Sequence, residues 1–431
     1  MLSDQADSNN SMHNEEQVED SAYSLLLSRR HFLYGTLGIG ALALAAANIS
    51  TPSPAFADEE EFSYLSVSND SVFTLDDCTE LPYGDAVALI GNFELPYGTL
   101  LWASNDEYAA CLFPTESSKP LTKMGVLYLT SGNYATLLEA PVSMHEGFDI
   151  YDVRASERGF VWTEANILSG TWRIYTASFN GESLGEAILV DEGGEGWETP
   201  TIAAVGTHAY WQVLPIAAGP YTTENSILKR ATIGSNNYDE IYHSQGRMSS
   251  PIYPLGDGLV ITPRTPTDAI HHQLTLLDGS SGETRDSLVL PQGMKPLEAG
   301  YGTTGFNFSF EGIYSYGEGI SNLGTYTPEK EHGAYDYENK TWFRFSKTPS
   351  SPPAWCKNHF IVKSTRSVCG VNLESRLYYA IDVESGSDSY GDYLASTGDN
   401  DSFVTYANIN SKSMEGEVKK YCLVRVWTPH E

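Results

Sequence analysis

The stretch GFVWTEANILSGTWRIYTASFNGESLGEAILVDE (residues 159–192) contains three short runs with the composition of β-strands. The runs GFVWTEA (159–165), TWRIYTASF (171–179) and EAILVDE (186–192) are rich in Trp, Tyr, Val, Ile and Thr. The turns NILSG and NGESLG separate them, and turns of this type connect neighbouring antiparallel strands. The stretch therefore predicts a three-stranded meander.

The same pattern recurs along the chain with a period near 50 residues. The apolar centres of the recurring runs are Trp102, Trp162, Trp211, Ile261, Ile313, Ile361 and Val404. After Trp162 the spacings are 49, 50, 52, 48 and 43 residues, whereas Trp102 precedes Trp162 by 60. We attribute the longer first step to an insertion at FPTESSKPLTK (113–123).

A period of about 50 residues with three or four strands per unit is typical of a β-propeller. Seven centres predict one all-β domain with seven blades, and six blades are the alternative because the first unit is poorly defined. The last unit (401–428) is one strand short, and we expect an N-terminal strand within EFSYLSVSNDSVFTL (61–75) to close the ring. Closure would remove exposed strand edges that invite aggregation.

The first 57 residues predict export from the cytoplasm. An apolar run from Phe32 to Ala47 follows two arginines and precedes a small-residue site, as in a cleavable signal peptide. The run is marginal in length for a membrane-spanning helix. The segment resembles the twin-arginine (Tat) export signal, which it matches at Ser28, Arg29, Arg30, Phe32 and Leu33.

This resemblance implies a signal peptide at residues 1–57 and a mature propeller domain at residues 58–431. Cleavage would follow the A-x-A site formed by Ala55 and Ala57. The implied transient partner is the twin-arginine translocase. The implied location is extracellular or in the cell envelope, which includes the periplasm if the host has an outer membrane. No membrane contact is expected after cleavage.

The chain is strongly acidic, with 56 Asp and Glu against 25 Lys and Arg and a formal net charge of −31. Removal of residues 1–57 takes away six acids and two arginines, so the mature charge is 23 − 50 = −27. Such a surface repels phosphate backbones, and nucleic acid is therefore disfavoured as a partner.

The five cysteines do not form a pattern typical of a metal site or a disulfide framework. They are Cys78, Cys111, Cys356, Cys369 and Cys422. A disulfide between Cys356 and Cys369 would close a local loop, and burial as free thiols is the alternative. No Cys or His spacing suggests zinc or an iron–sulfur cluster, and we expect neither a metal nor a cofactor.

Three local motifs are weak candidates for chemistry. GYGTTG (300–305) matches the dinucleotide fingerprint, but an aromatic strand follows it where a helix is required. His271 and His272 are adjacent on a predicted strand and should face opposite sides. Asp399 and Asp401 in STGDNDS (396–402) lack the further ligands of a calcium loop. We interpret STGDNDS, like DEGGEGWE (191–198), as a solvated acidic loop and predict no catalytic residue.

Aromatic residues concentrate in GFNFSFEGIYSYGEG (305–319) and HGAYDYENKTWFRF (332–345). Alternating aromatics most often pack between strands. Loops and strand ends near a propeller axis form its concave site, where aromatic rings can stack on sugars or peptides. Tyr301, Tyr314 and Tyr316 are therefore our candidate ligand-binding residues.

Nearly all of residues 60–431 resembles the TolB-like or WD40-like propellers found in twin-arginine-exported proteins of actinobacteria. The resemblance lies in the repeated strand pattern. The chain lacks the Trp-Asp dipeptides of WD40 repeats, the Asp boxes of sialidase-type propellers and the glycine pairs of kelch repeats. The resemblance therefore implies a fold and no site residues.

Our leading hypothesis is a non-catalytic binding or interaction scaffold that acts outside the cytoplasm on an unidentified extracellular protein, peptide or glycan. The alternative is an exported glycan- or peptide-processing enzyme with an active site at the axis. A cofactor-bearing redox protein is a third hypothesis, which only the export route suggests.

Overall fold

The computed structural model describes residues 64–115, 123–266, 269–310, 319–320, 323–331, 337, 340–347, 350–412 and 418–430. The predicted signal peptide, Ile313, Tyr314 and Tyr316 lie outside the described residues. One compact unit comprises Phe62–Pro215 and Thr223–Glu431, and the architecture below is that of this unit. The segment Ile216–Thr222 falls outside it and contains bends and turns.

Six sheets each contain four strands that are consecutive in the chain. Three short or peripheral strands come first: β1 (Val72–Phe73), β2 (Thr79–Glu80) and β3 (Val87–Leu95). The first blade consists of β4 (Leu100–Trp102), β5 (Tyr108–Phe113), β6 (Lys123–Tyr128) and β7 (Tyr134–Leu138). The second consists of β8 (Asp149–Ser156), β9 (Gly159–Asn166), β10 (Thr171–Ser178) and β11 (Ile188–Gly193). The third consists of β12 (Thr201–Val205), β13 (His208–Val213), β14 (Ser226–Thr232) and β15 (Tyr238–Ser244).

The remaining strands continue the same order. The fourth blade consists of β16 (Tyr253–Pro254), β17 (Gly258–Ile261), β18 (Gln273–Asp278) and β19 (Thr284–Val289). The fifth consists of β20 (Glu298–Gly302), β21 (Gly305–Phe310), β22 (Gly324–Pro328) and β23 (Trp342–Phe345). The sixth consists of β24 (Ala354–Cys356), β25 (His359–Lys363), β26 (Val368–Asn372) and β27 (Leu377–Ala380). The last strands are β28 (Tyr393–Leu394), β29 (Asp399–Asn400), β30 (Phe403–Lys412) and β31 (Val418–Pro429).

Helical structure in the described residues is limited to short turns. One α-helical turn spans Tyr83–Ala86, and 3-10 turns span Asn69–Ser71, Leu75–Asp77 and Met144–Glu146. None of these segments has the length and hydrophobicity that a helix needs to cross a bilayer.

The sheets are the blades of a β-propeller, which confirms the all-β prediction. Within each consecutive blade the strands form an antiparallel meander, and the first strand lies at one edge. These first strands contact one another in sequence, from β4 and β8 through β12, β16 and β20 to β24. They are therefore the innermost strands and surround the axis.

The predicted period follows from the position of the second strand in each blade. Trp162, Trp211, Ile261, Ile361 and Val404 lie on β9, β13, β17, β25 and β30, which are all second strands. Trp102 lies on the innermost strand β4. The equivalent second strand in that blade is β5, so the 60-residue step reflects an offset of one strand. The insertion at 113–123 is not needed to explain it.

A seventh sheet joins the two ends of the described chain, in the order β28-β30-β31-β3. The predicted closing strand exists, but it is β3 and not a strand within residues 61–75. β3 pairs antiparallel with β31 from Val87 opposite Pro429 to Leu95 opposite Cys422. Six blades are thus continuous in the chain, as in the six-blade alternative, and a composite sheet closes the ring.

Part of the segment that we expected to close the ring covers outer blade edges instead. We call residues 65–80 the strap. The amide of Leu65 donates to the carbonyl of Val289 on the fourth blade at 2.8 Å. β1 then pairs in parallel with β23 of the fifth blade, and β2 pairs with β27 of the sixth. The 3-10 turn at Asn69–Ser71 breaks the segment, whereas the nine residues of β3 are uninterrupted.

A loop across the axis connects β28 to β30. This axial loop, Ala395–Ser402, hydrogen-bonds to residues on or next to the innermost strands of four other blades. Those residues are Ala103 of the first blade, Tyr253 of the fourth, Thr303 of the fifth and Trp355 of the sixth. At the loop's centre, the amide of Gly398 donates to the hydroxyl of Tyr253 at 2.8 Å, and Gly398 has a φ of 81°. The loop therefore ties the closing sheet to four of the six consecutive blades.

The five cysteines are free thiols. Cys356 packs in the layer between the sixth blade and the closing sheet. Cys369 packs on the opposite face, against the fifth blade. A disulfide between the two is excluded because their side chains lie on opposite faces of one sheet.

The glycines of GYGTTG allow neighbouring side chains to pack closely against the backbone. Gly300 and Gly302 lie on β20, and Gly305 begins β21, so the motif is a β-hairpin as its context predicted. A Cβ atom at Gly302 would lie 1.9 Å from Cδ1 of Trp355. The indole of the sixth blade therefore requires a glycine at this point.

Candidate functional site

A cleft of about 480 Å³ opens at one end of the second blade. The start of β10, the end of β11 and the loop before β8 form its walls. Its lining residues are Glu146, Phe148, Thr171, Trp172, Arg173, Glu192, Gly193 and Gly194. This volume lies in the range of small-ligand and side-chain pockets.

Arg173 holds the two carboxylates of the cleft. Its Nη1 and Nη2 donate to Oε1 and Oε2 of Glu146 at 2.9 and 2.8 Å, and its Nε donates to Glu192 at 3.3 Å. The guanidinium also lies over the ring of Phe148, 4.6 Å from its centroid. The hydrogen bond from Arg173 lowers the pKa of Glu146. Both glutamates remain mostly exposed, with 60% and 63% of their side chains accessible, so a ligand can reach them.

A buried carboxylate supports the loop that carries Glu146. Glu164 of β9 is fully buried, and its carboxylate accepts hydrogen bonds from the backbone amides of Val142 and Ser143 at 2.7 and 2.8 Å. It also accepts the indole N–H of Trp162 at 3.1 Å. Arg173 Nη1 donates to Ser143 Oγ at 2.6 Å, which joins the loop to the cleft. Glu164 therefore fixes the position of the 142–146 loop.

Trp172 lines the cleft and carries a buried indole N–H without a partner in the described part of the chain. The residue is 2% exposed, and its Nε1 has no hydrogen-bond partner among the described residues. The indole lies across Gly193, where a Cβ atom would be 2.2 Å from Cζ2. Buried indole N–H groups nearly always have an acceptor. Within the described chain, the N–H of Trp172 is therefore an unpaired donor in the core beneath the cleft.

Exposed apolar side chains border the cleft on two neighbouring loops. Val142 and Met144 come from the loop before β8, and Ile167 and Leu168 come from the turn between β9 and β10. Leu168 is completely exposed and Ile167 is 56% exposed. Asn166 Nδ2 donates to the carbonyl of Glu146 at 3.3 Å and holds the two loops together. We call these four apolar residues and the cleft the blade-2 surface.

The acidic residues of the run DEGGEGWE (191–198) differ in their exposure to solvent. Glu192 and Glu195 are exposed, as predicted for a solvated acidic loop. Asp191 is not solvated, because it accepts Trp211 Nε1 at 2.7 Å and Lys229 Nζ at 2.9 Å. Glu198 pairs with Arg247 at 2.6 Å. The exposed half of the run adds negative charge beside the cleft.

Tyr301, the candidate ligand-binding residue within the described chain, lies between the fourth and fifth blades. Its ring packs edge-on against Phe306 at 5.0 Å between ring centroids. Burial, followed by the charge of Asp286, raises the pKa of its hydroxyl. The structure does not bring Tyr301 to the blade-2 surface. A ligand role for Tyr301 stays a prediction, as it does for Tyr314 and Tyr316.

The residues considered for metal binding have other partners. His271 Nδ1 pairs with the carbonyl of Leu290 at 2.9 Å, and His272 Nδ1 pairs with that of Met294 at 3.0 Å. Asp399 accepts the hydroxyl of Thr303 at 3.0 Å. Within the described ranges, no group of three or more His, Cys, Asp or Glu side chains is arranged to hold a metal ion.

Buried histidines make the fold sensitive to acid. Burial lowers the pKa of His272 and of His359 to about 4. A group whose folded pKa is depressed stabilises the fold above its unfolded pKa, about 6.5 for His, and this contribution is lost as the pH falls toward 4. Asp392 acts in the opposite sense, because burial raises its pKa to about 6. Its contribution is present at low pH and lost as the pH rises through 6.

We expect the free energy of unfolding to fall by about 1–3 kcal/mol between pH 7 and pH 4, because the two large histidine shifts, at about 1.4 kcal/mol per pKa unit, outweigh the opposing shifts of Asp388, Asp392 and Asp399. Urea unfolding at both pH values measures this loss. A variant with His272→Gln and His359→Gln should lose much less, and His145→Gln, at an exposed site, should behave like the parent. Equal losses in all three proteins would contradict the assignment.

Comparisons with known proteins are limited to distant structural likeness. No protein-family model matches the chain, and no curated protein matches it. A prolyl endopeptidase structure matches with a TM-score of 0.49 and 12% identity over 78% of this chain and 47% of that one. Oligogalacturonate lyase from Vibrio parahaemolyticus matches with a TM-score of 0.43 and 12% identity over 79% and 91%. A post-proline cleaving enzyme from Rickettsia typhi matches with 0.47 and 8% over 76% and 52%.

This chain spans about half the length of both peptidases. At these identities and TM-scores the matches assign no activity to it. The blade-2 surface is therefore interpreted from its own residues.

Proposed function

We propose that this protein is a polypeptide-binding propeller and that it docks a segment of a partner protein on the blade-2 surface. The observation that supports this most directly is the exposure of Leu168 and Ile167 on the turn between β9 and β10, which Asn166 links to a loop that exposes Met144 and Val142. Contiguous exposed apolar side chains with a polar border mark interaction sites on soluble proteins. Here Glu146, Arg173 and Glu192 form that border.

The charge of the chain favours a protein partner over a membrane or nucleic acid. The whole chain carries a net charge of −31, and the exposed Glu192 and Glu195 lie next to the cleft. Anionic lipid surfaces and phosphate backbones would meet like charge at this surface. A polypeptide can supply both apolar side chains and compensating positive charge.

We also propose that the protein acts outside the cytoplasm. The twin-arginine-type segment SRRHFL and the Ala55–Ala57 cleavage site support export. The proposal of a non-catalytic role rests on the chemistry of the blade-2 surface. Its carboxylates are tied to Arg173, the hydroxyl of Ser143 is hydrogen-bonded to Arg173 and Tyr175, and that of Thr171 is hydrogen-bonded to Ser169.

An array of random dodecapeptides tests the proposal. We expect the protein to bind a subset of these peptides and Leu168→Ser to reduce their signal about tenfold, since truncation of an anchor residue commonly costs more than about 1 kcal/mol. Ile90→Ser is the matched control because Ile90 is similarly exposed, at 59%, on β3. Peptide binding that is indifferent to Leu168→Ser, or absent altogether, would overturn the proposed function.

A further inference from the structure

We infer that a small oxyanion, a carboxylate or a phosphate group, binds where loops of the third and fourth blades meet. The residues that hold it are Arg264, Lys295 and Arg247, and we call these three the oxyanion site. In the inferred complex Arg264 donates two hydrogen bonds to the anion, and Lys295 and Arg247 add positive charge beside it. The inference goes beyond the proposed function, because the oxyanion site shares no residue with the blade-2 surface.

The oxyanion site is formed by three loops at one end of the fourth blade. Arg247 lies between β15 and β16, Arg264 between β17 and β18, and Lys295 after β19. Neighbouring strands of this blade are antiparallel, so the start of β16, the end of β17 and the end of β19 lie at the same end of the sheet. The loops therefore bring three cations together that are distant in sequence.

Arg264 lies against the loop that carries Arg247. Its amide donates to Ser244 Oγ at 3.0 Å. A Cβ atom at Gly246 would lie 2.8 Å from Nη1 of Arg264, so the guanidinium packs on the backbone of a glycine. Gly246 also has a φ of 75°, which favours glycine. This glycine therefore leaves room for the guanidinium next to Arg247.

Lys295 lies on a loop that is bonded to the other two. Ser249 Oγ donates to the carbonyl of Pro296, immediately after Lys295, at 2.6 Å. His272 Nδ1 pairs with the carbonyl of Met294, immediately before it, at 3.0 Å. The backbone on both sides of Lys295 is therefore fixed relative to the rest of the site.

The state of Arg264 points most directly to a ligand. The residue is partly buried, and its guanidinium forms no hydrogen bond or ion pair with any residue in the described ranges. The carboxylate of Glu198 is bound to Nη2 of Arg247 at 2.6 Å, and Nη1 of Arg247 donates to the carbonyl of Pro215 at 2.5 Å. Buried charges are normally paired, and a guanidinium binds the two oxygens of a carboxylate or phosphate in a bidentate manner.

The local charge is positive, although the chain has a net charge of −31. Burial, followed by the charge of Arg247, lowers the pKa of Lys295, and Glu198 opposes this only in part. The charges of Lys295 and Arg264 also contribute to the lowered pKa of His272. The cations of the site are therefore close enough to repel one another. An anion between them would relieve this repulsion.

Isothermal titration calorimetry with inorganic phosphate, acetyl-alanine and acetyl-alanine amide tests the inference. We expect phosphate or acetyl-alanine to bind with a Kd of about 1 mM or tighter, and the uncharged amide not to bind. Arg264→Met should weaken binding about tenfold, because charge-assisted hydrogen bonds are lost, and Lys295→Met should also weaken it. Arg158→Met, at an exposed site between β8 and β9, is the matched control and should bind like the parent.

The two anionic probes distinguish the sources of the oxyanion. Binding of phosphate alone assigns a phosphate ligand, binding of acetyl-alanine alone assigns a carboxylate ligand, and binding of both supports the shared chemistry. Binding of neither probe would overturn the inference, as would binding that Arg264→Met leaves unchanged.

Urea unfolding in buffer free of phosphate and carboxylates tests whether Arg264 lacks an internal partner. Methionine keeps an unbranched stem against Gly246 and removes the charge. Arg264→Met should therefore leave the urea midpoint unchanged or raise it. The probe that binds, at about ten times its Kd, should raise the midpoint of the parent and not that of the variant. A lower midpoint for Arg264→Met without a probe would show that the protein itself pairs this cation and would overturn the inference.

Discussion

Deletion of residues 1–95 is expected to prevent the propeller from folding and to leave aggregated protein. The deletion removes β3, which pairs along β31, and with it Val87 and Leu95, both 3% exposed. It also removes the strap from the outer edges of three blades. The twelve residues of β31 would become an open edge strand. Open edges of this length promote aggregation, and the lost contacts are comparable with a typical total stability of about 5–15 kcal/mol.

Deletion of residues 1–63 is the control for this experiment, because it leaves the strap and β3 intact. We expect this shorter deletion to give a monomer with one cooperative thermal transition. Size-exclusion chromatography and circular dichroism compare the two proteins. A folded monomer after deletion of residues 1–95 would show that β30 and β31 do not depend on the closing strand.

Glu164→Ala is expected to cost about 3–6 kcal/mol of unfolding free energy. The carboxylate is fully buried and accepts two backbone amides and one indole N–H. Removing it leaves two buried donors and the partly buried amide of Val142 without an acceptor, at about 1–3 kcal/mol for each buried donor. Glu164→Gln retains one acceptor oxygen and should cost about half as much. Peptide binding should weaken in both variants, because the 142–146 loop carries part of the blade-2 surface.

Thr163→Val is the matched control, one residue earlier on β9. Thr163 is also fully buried, but its hydroxyl has no partner among the described residues. Replacement of an unpaired hydroxyl by a methyl group of similar shape should be neutral or slightly stabilising. Urea unfolding compares the three variants with the parent. A cost for Thr163→Val equal to that of Glu164→Ala would show that general packing, and not the carboxylate, supports this region.

The repeated meander could be predicted because its signal is local. Residues 159–192 contain three strands and two turns in order, and the structure has β9, β10 and β11 over them. The innermost strands are shorter and less distinctive, such as β16 with two residues and β28 with two. For this reason Trp102 was assigned to the same position as Trp162, although it lies one strand earlier.

The closing strand was harder to locate because its pairing is remote in sequence. β3 meets β31 more than 300 residues later, and no local pattern distinguishes VALIGNFEL from the preceding strand-like segment. The strap contributes only two-residue ladders at β1 and β2. Their partner strands, β23 and β27, come next to the strap only when the ring has formed, so the sequence of the strap alone does not predict the pairing.

Only part of the candidate site could be predicted from the sequence. The turn NILSG places two aliphatic residues where polar ones are usual, and this was a usable signal for an exposed apolar pair. The unused N–H of Trp172 was not predictable, because it depends on the indole's position over Gly193. Glu164 likewise looks out of place in an apolar strand. Its role depends on the loop amides that donate hydrogen bonds to it, and these could not be identified from the sequence.

The axial loop has a consequence for how the ring unfolds. In linear repeat proteins each unit contacts only its neighbours, so stability is close to a nearest-neighbour sum and the ends can fray. Here one eight-residue loop bonds to the first, fourth, fifth and sixth blades at once. If any one of these blades unfolds, the loop is displaced and its hydrogen bonds to the other three blades are weakened. The repeats are modular in sequence, but they should melt as one thermodynamic unit.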